Sequence, residues 1–372
     1  MKTVFLICAE KKHLTVWTLY KHGKCHVFIT VMQNCTICDE NTHNTIKCRK
    51  LKQGLDLDLV KLKGRSLEKQ FAHDDALTHG QRKMKWRHTI LLETLYAFAI
   101  KPKGYYHRIA FQNLKRMENT QIQRIVDGKS IAALGIYEPI NLDWGECTQI
   151  LTNLHGREFA VLNFANAFVP GGGYVEGCSA QEENIFRRTD LHFSLYRSQT
   201  NLSGSQYTQH MSTLINAKGL NPRVYMDFAD NKHNVVIRGP ESDGYTFLSR
   251  NEIFPFVELR AAAWDLRGVD NLRQSVFMED CRRRIRAQLL TLKDNCVRCV
   301  VLGAFGCGAF QNPPSLVAEI YVEEISRMRS DFDVIAFAII MSPDNLSAFQ
   351  DKFSLFREPL LKLTDQIDLM ND

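Results

Sequence analysis

At 372 residues, with 45% apolar and 24% charged side chains, the chain can bury a large α/β core, and its composition is that of an ordinary folded protein. The net charge of +6 favours an anionic ligand without requiring one. Eleven cysteines, an odd number scattered without a secretory framework, point to reduced thiols in a cytoplasmic or nuclear compartment, and no segment approaches the ~20 apolar residues that a membrane span needs.

Residues 1–77 read as a small accessory region. The apolar run Val4-Phe5-Leu6-Ile7-Cys8 lacks a convincing cleavage site and is expected to be a buried strand, with further β-type runs at Leu14–Leu19 and Val27–Val31. Cys35-x2-Cys38-x4-His43-x4-Cys48 has the spacing of a CCHC zinc knuckle, and three thiolates with one imidazole suit tetrahedral zinc. The neighbouring Lys47, Arg49, Lys50 and Lys52 would suit a nucleic-acid backbone. A chance cluster in a cysteine-rich segment is the competing reading, since the glycine and aromatic of retroviral-type knuckles are missing; Cys25 and His26 are alternative ligands.

From about Gln81 the pattern becomes α/β. Ile90, Leu91, Leu95, Phe98 and Ala99 fall at helical spacing between Trp86 and Ile100. Phe159–Phe164 reads as a buried strand and Ser179–Leu195 as a helix, opened by a Ser179–Glu182 capping box. Val235–Ile237 and Phe256–Leu259 read as strands, and Asn271–Leu292 as a long amphipathic helix burying Val276, Phe277, Cys281, Ile285 and Leu289. Strands at Cys299–Leu302 and Val334–Ile340 flank a helix opened by Asn312-Pro313-Pro314. Strands alternating with helices imply a sheet covered on both faces. Domain limits are set at 78–350, with 351–372 as a peripheral helix and tail.

Two glycine loops leave strands before helices. In Pro170-Gly171-Gly172-Gly173 the glycines allow close backbone approach and can aim N–H groups at an anion. The second loop is Gly303-Ala304-Phe305-Gly306-Cys307-Gly308-Ala309-Phe310. Ligands of open α/β sheets sit at the carboxyl ends of strands, so the loops could clasp a diphosphate between them; the competing reading is two turns on unrelated edges. Gln181-Glu182-Glu183 follows the first loop, and because successive helical residues point about 100° apart, the two glutamates should differ in role. Cys178 and Cys307 read as small fillers, and the Cys296/Cys299 pair as core packing.

Leu162 through Gly173, followed by Gln181-Glu182-Glu183, resembles the signature of microbial-type poly(ADP-ribose) glycohydrolases. The segment Leu302–Pro313 is similar to that family's second loop, and Arg87–Leu95 to its opening helix. The resemblance implies a three-layer α/β/α macrodomain-like fold with a mixed sheet, which hydrolyses ribose–ribose bonds in poly(ADP-ribose) without a catalytic cofactor. It implies that Glu183 is the catalytic acid, that Glu182 holds ribose hydroxyls and that Asn166 contacts the same distal ribose. It groups Gln181 with the ligand-binding residues, gives the diphosphate to Gly171, Gly172, Gly173 and the loop Gly303, Ala304, Phe305, Gly306, Cys307, Gly308, Ala309, and sets Phe310 near the distal ribose. Gly239-Pro240-Glu241 resembles a Ser-Pro-Asp step of the family, and counted on from it the resemblance points to Tyr245 as the adenine-stacking aromatic, with Phe247 close behind. A mono-ADP-ribosyl hydrolase acting on protein or nucleic-acid adducts, and a non-catalytic ADP-ribose reader, are the alternative functions.

Overall fold

A computed structural model describes residues 3–6, 13–21, 24–32, 78–102, 104–167, 171–192, 225–226, 233–340 and 342–371. The proposed zinc ligands Cys35, Cys38, His43 and Cys48 and their basic neighbours lie outside these residues. The three expected N-terminal strands form an antiparallel sheet, β1 (Thr3–Leu6), β2 (His13–Lys21) and β3 (Lys24–Met32), in the order β1-β2-β3.

The α/β region begins with α1 (His79–Ile100). Its start is a capping box that the sequence carried as Thr-x-x-Gln: Gln81 N–H donates to Thr78 Oγ1, and Thr78 N–H to Gln81 Oε1. There follow α2 (Tyr105–Val126), β4 (Gly135–Ile136), α3 (Trp144–His155), β5 (Ala160–Phe164) and α4 (Gln181–Arg188). Next come β6 (Tyr225–Met226), β7 (Asn234–Val236), β8 (Phe254–Ala261) and α5 (Gln274–Asp294). Then β9 (Cys299–Leu302), α6 (Pro314–Arg327), β10 (Val334–Phe337), α7 (Pro343–Phe353) and α8 (Leu363–Asn371) complete the described chain.

The main sheet runs β4-β10-β9-β5-β8-β6, with β7 also on β8. Pairs from β4 to β8 are parallel, whereas β6 and β7 run antiparallel to β8, so the sheet is mixed as expected. Alternation along the strands divides the core into two layers. Leu162, Val300, Leu302, Ile335 and Phe337 pack under α5, α6 and α7, through Ile285, Leu289, Tyr321 and Phe349. Val161, Cys299, Val301, Val334 and Ala336 face the other way, against α3, α4 and part of α1, through Trp144, Leu151, Phe186 and Leu91. This is the three-layer α/β/α architecture.

Three expectations are corrected. The boundary at 350/351 falls inside α7, where Phe349 and Phe353 are both fully buried on Phe337. The tail is part of the fold, because Leu361 bridges Tyr137 beside edge strand β4 and its N–H donates to Ile136 O. The ends of the hydrophobic runs also overreach. Val276 and Ile340 are exposed, α5 starts only at Gln274 after Asn271 takes a left-handed φ of 57°, and β10 stops at Phe337.

Candidate active site

The parallel strands β5 and β9 pair only as far as Val161↔Val301. Beyond that point Gln181 fills the missing partner's place: its Nε2 donates to Leu162 O (2.7 Å) and Phe164 N–H donates to its Oε1 (2.8 Å). Both ends of the amide are thus engaged by backbone, so Gln181 acts as a clip that starts α4 and parts the strands, and the ligand contact assigned to it is replaced by this role. The loops after β5 and β9 therefore leave neighbouring strands at the same carboxyl edge, which rules out two turns on unrelated edges.

α4 starts at Gln181 with Ala180 as its cap, and no side chain caps it, so the expected Ser179–Glu182 box is not formed. Glu182 bends instead into the loop. Asn166 N–H donates to its Oε2 (2.7 Å) and Gly171 N–H to its Oε1 (2.8 Å), so one carboxylate fastens both arms of the loop after β5. Glu183 lies one position on: its Oε1 accepts from Gly173 N–H (2.9 Å), and its Oε2 has no partner among the described residues. Both glutamates are buried, with 2% and 7% of their surface exposed. Burial pushes the Glu182 carboxyl up, to about 8; the charge of Glu183 acts in the same direction, and the two backbone donors and Arg260 oppose it.

These bonds revise the reading of the first glycine loop. The N–H groups of Gly171 and Gly173 already hold glutamate oxygens, and of the three glycines Gly172 is the one whose N–H has no acceptor among the described residues. Glycine is needed here for space as well as for φ. Gly171 and Gly172 have φ of 82° and 54°, a Cβ at Gly171 would strike the Tyr174 ring, and one at Gly172 would strike Glu183 Oε1.

The second loop is braced by Asn312, whose Nδ2 donates to Trp264 O (2.7 Å) and Phe310 O (3.0 Å), while its own N–H donates to Gly306 O. Gly303 lies against the first loop's strand, since a Cβ there would come within 2.8 Å of Phe164 Cζ and 2.9 Å of Ala338 O. Ala304 and Phe305 are buried, Cys307 and Phe310 are half-buried, and Gly308 and Ala309 are exposed at the tip. The N–H groups of Gly306, Gly308, Ala309 and Phe310 donate to no described residue, which leaves this loop with the larger set of anion donors. Arg267 lies 5.5 Å above the Phe310 ring. Burial holds the Cys307 thiol far above its ordinary range, in keeping with a filler.

The adenine assignment is corrected. Tyr245 is 0% exposed, packs on Trp86 with ring centroids 5.5 Å apart, and turns its hydroxyl inward. No ring face is left for a base. Phe247 is covered by the Arg238 guanidinium at 3.7 Å.

Sequence reasoning missed the polar bed beneath the site. Asn163 Nδ2 donates to Glu258 Oε1 (2.6 Å), and Arg260 holds the same carboxylate with Nε (2.9 Å) and Nη2 (2.5 Å), all three side chains buried. Their place on strands that otherwise read as apolar was the available signal.

Two neighbouring strand ends, a glycine loop locked on paired glutamates and a second loop with free N–H groups are now in place. Residues 74–218 match the family model of the microbial-type PARG catalytic domain. The matched stretch includes the first loop and both glutamates and ends before the second loop. The chain is similar in structure to poly(ADP-ribose) glycohydrolase (PARG) from Thermomonospora curvata, with TM-score 0.53 and 22% identity, covering 72% of this chain and 99% of that one. The same enzyme bound to the inhibitor ADP-HPD gives TM-score 0.52 at 22% identity, with 72% and 99% covered. PARG from Deinococcus radiodurans in complex with ADP-ribose gives TM-score 0.48 at 20% identity, with 68% and 99% covered. No curated protein matches the chain. The resemblance to microbial-type PARG read from the sequence is borne out by the family model and by the fold. Among the described residues no group of three His, Cys, Asp or Glu could hold a metal ion, and no helix is long and apolar enough to cross a membrane.

Proposed function

We propose that this chain hydrolyses the ribose–ribose O-glycosidic bonds of poly(ADP-ribose), with Glu183 as general acid and then general base. The observation that carries the reading is the asymmetric carboxylate of Glu183: one oxygen is fixed by Gly173 N–H and the other is uncommitted, at the edge where both glycine loops emerge. Glu183 donates its proton to the departing ribose 2′ oxygen as the bond to C1″ breaks. Water adds to C1″, and the carboxylate takes up the proton that the water releases. The negative diphosphate is held by the free N–H groups of the second loop. The same diphosphate stabilises the positive charge developing at C1″. Glycosidases of the usual kind use two carboxylates, but here Glu182 is occupied in holding the loop, so one carboxylate serves both steps. Asn166, at the loop's near arm, and Phe310, at the tip of the other, flank the distal ribose.

Incubation with poly(ADP-ribose) is expected to release ADP-ribose. Release from singly modified protein or nucleic acid alone would favour the mono-ADP-ribosyl hydrolase, and binding without turnover would leave a reader. We propose separately, from the sequence alone, that Cys35, Cys38, His43 and Cys48, which lie outside the described residues, bind a structural zinc that directs the enzyme, through the adjoining basic residues, to nucleic acid or a modified partner in a reducing cytoplasmic or nuclear compartment. Purified full-length chain without stoichiometric zinc would end that part of the proposal.

A further inference from the structure

The buried hydroxyl of Tyr245 has three partners, the full capacity of a phenol. It accepts from Asn184 Nδ2 (3.0 Å) and Arg187 Nε (3.1 Å), both on α4, and donates to Glu241 Oε2 (2.8 Å). Glu241 in turn is gripped by two nitrogens of Arg87 on α1, Nε at 3.1 Å and Nη2 at 2.6 Å. The same two arginines reach the far arm of the first glycine loop. Arg187 Nη1 donates to Cys178 O (2.7 Å) and Arg87 Nη1 to Gly177 O (3.5 Å). Cys178 N–H closes that arm onto Gly173 O (3.0 Å), and Gly173 is the residue whose N–H holds Glu183. Arg187 also stands four residues after Glu183, on the same side of α4. Tyr245 adopts a left-handed φ of 54°, rare for a bulky residue, and Arg238 Nη1 donates to its carbonyl (2.6 Å).

We propose that Tyr245 is a positioning residue for Glu183, its hydroxyl joining α1, α4 and the 173–178 arm so that Gly173 N–H and the Glu183 carboxylate keep their register. The loop is then held at two places: Glu182 fastens Asn166 and Gly171, and the Tyr245 hub fastens residues 173–178 beyond them. Burial raises the phenol to about 12, so the hydroxyl stays protonated and keeps donating to Glu241 across the working pH range.

The proposal rests on the reading of Glu183 as the catalytic group, and two readouts separate its failure from the failure of that reading. Tyr245→Phe keeps the ring on Trp86 and removes the hub. We expect kcat on poly(ADP-ribose) to fall about tenfold with KM within about threefold, because the diphosphate donors on the other loop are untouched. Amide hydrogen exchange over 171–178 should quicken by roughly tenfold or more. The control is Tyr321→Phe, which deletes a buried hydroxyl bonded to Gln288 Oε1 (2.7 Å) in the opposite helical layer; it should cost stability and change neither kcat nor exchange over 171–178. Glu241→Gln should repeat the split and serves if Tyr245→Phe does not fold. Wild-type kcat with wild-type exchange in Tyr245→Phe would overturn the hub, as would equal effects from Tyr321→Phe. Absence of hydrolysis by the wild-type chain would count against the proposed function alone, since the exchange measurement still tests the hub.

Discussion

Glu182 and Glu183 adjoin in sequence and share a helix turn, yet their surroundings give them different work. Glu182 is enclosed and meets two backbone donors, and Glu183 meets one and keeps an oxygen in reserve. The buried Glu182 carboxyl, raised to about 8 chiefly by desolvation, has a consequence for stability. A carboxyl raised on folding binds its proton more tightly in the native state, so its contribution is fully present below the unfolded value near 4.5 and is lost as pH rises towards 8. Thermal unfolding of the wild type between pH 5 and pH 8 should therefore lose stability relative to Glu182→Gln, which has no such titration; parallel pH curves for the two would contradict the assignment. That the two glutamates meet different surroundings was legible from their adjacent places on a helix. The partners of Glu182 were not, because a capping-box pattern and a loop clasp use the same residue types and only the path of the loop chooses between them. Tyr245 failed for the same reason: counting along the chain places an aromatic but cannot tell which way its hydroxyl turns.

Among elements, the strand–loop–helix order after β5 and after β9 was readable from apolar runs broken by glycine. What the pattern could not show was the parting of the two strands, which depends on one side chain, Gln181, bonding to backbone that β9 leaves unpaired. The close approach of the second loop to Phe164 and to the carbonyl of Ala338 gives a stability prediction. Gly303→Ala should lose roughly 1–3 kcal/mol by overpacking, because one of the atoms it meets is backbone and cannot move aside cheaply. Gly308→Ala, with nothing within 4 Å of its Cβ, should fold with an unchanged melting temperature. Denaturant unfolding of the two variants side by side checks this, and equal losses would mean that the loops are farther apart than described.

For the molecule as a whole, alternating strands and helices were enough to foresee a covered sheet, and strand periodicity then sorts its two faces. The carboxyl end was misjudged because its apolar side chains make long-range contacts that no local pattern announces: Phe353 on Phe337, Leu361 beside Tyr137, and Leu363 within the layer of α3. Removing residues from 355 onward should strip the edge of β4 and lower the melting temperature by roughly 4–10 °C, taking about 2–3 kcal/mol for the lost burial and pairing. An unchanged melting temperature would return the tail to the periphery.

The most direct test of the central claim is to compare turnover of poly(ADP-ribose) with ADP-ribose affinity in Glu183→Gln. The amide can still accept from Gly173 N–H, so the loop is preserved while the transferable proton is lost. Turnover should fall by about a thousandfold or more, with the dissociation constant for ADP-ribose within about threefold of the wild-type value. Turnover near the wild-type rate would show that another group moves the proton.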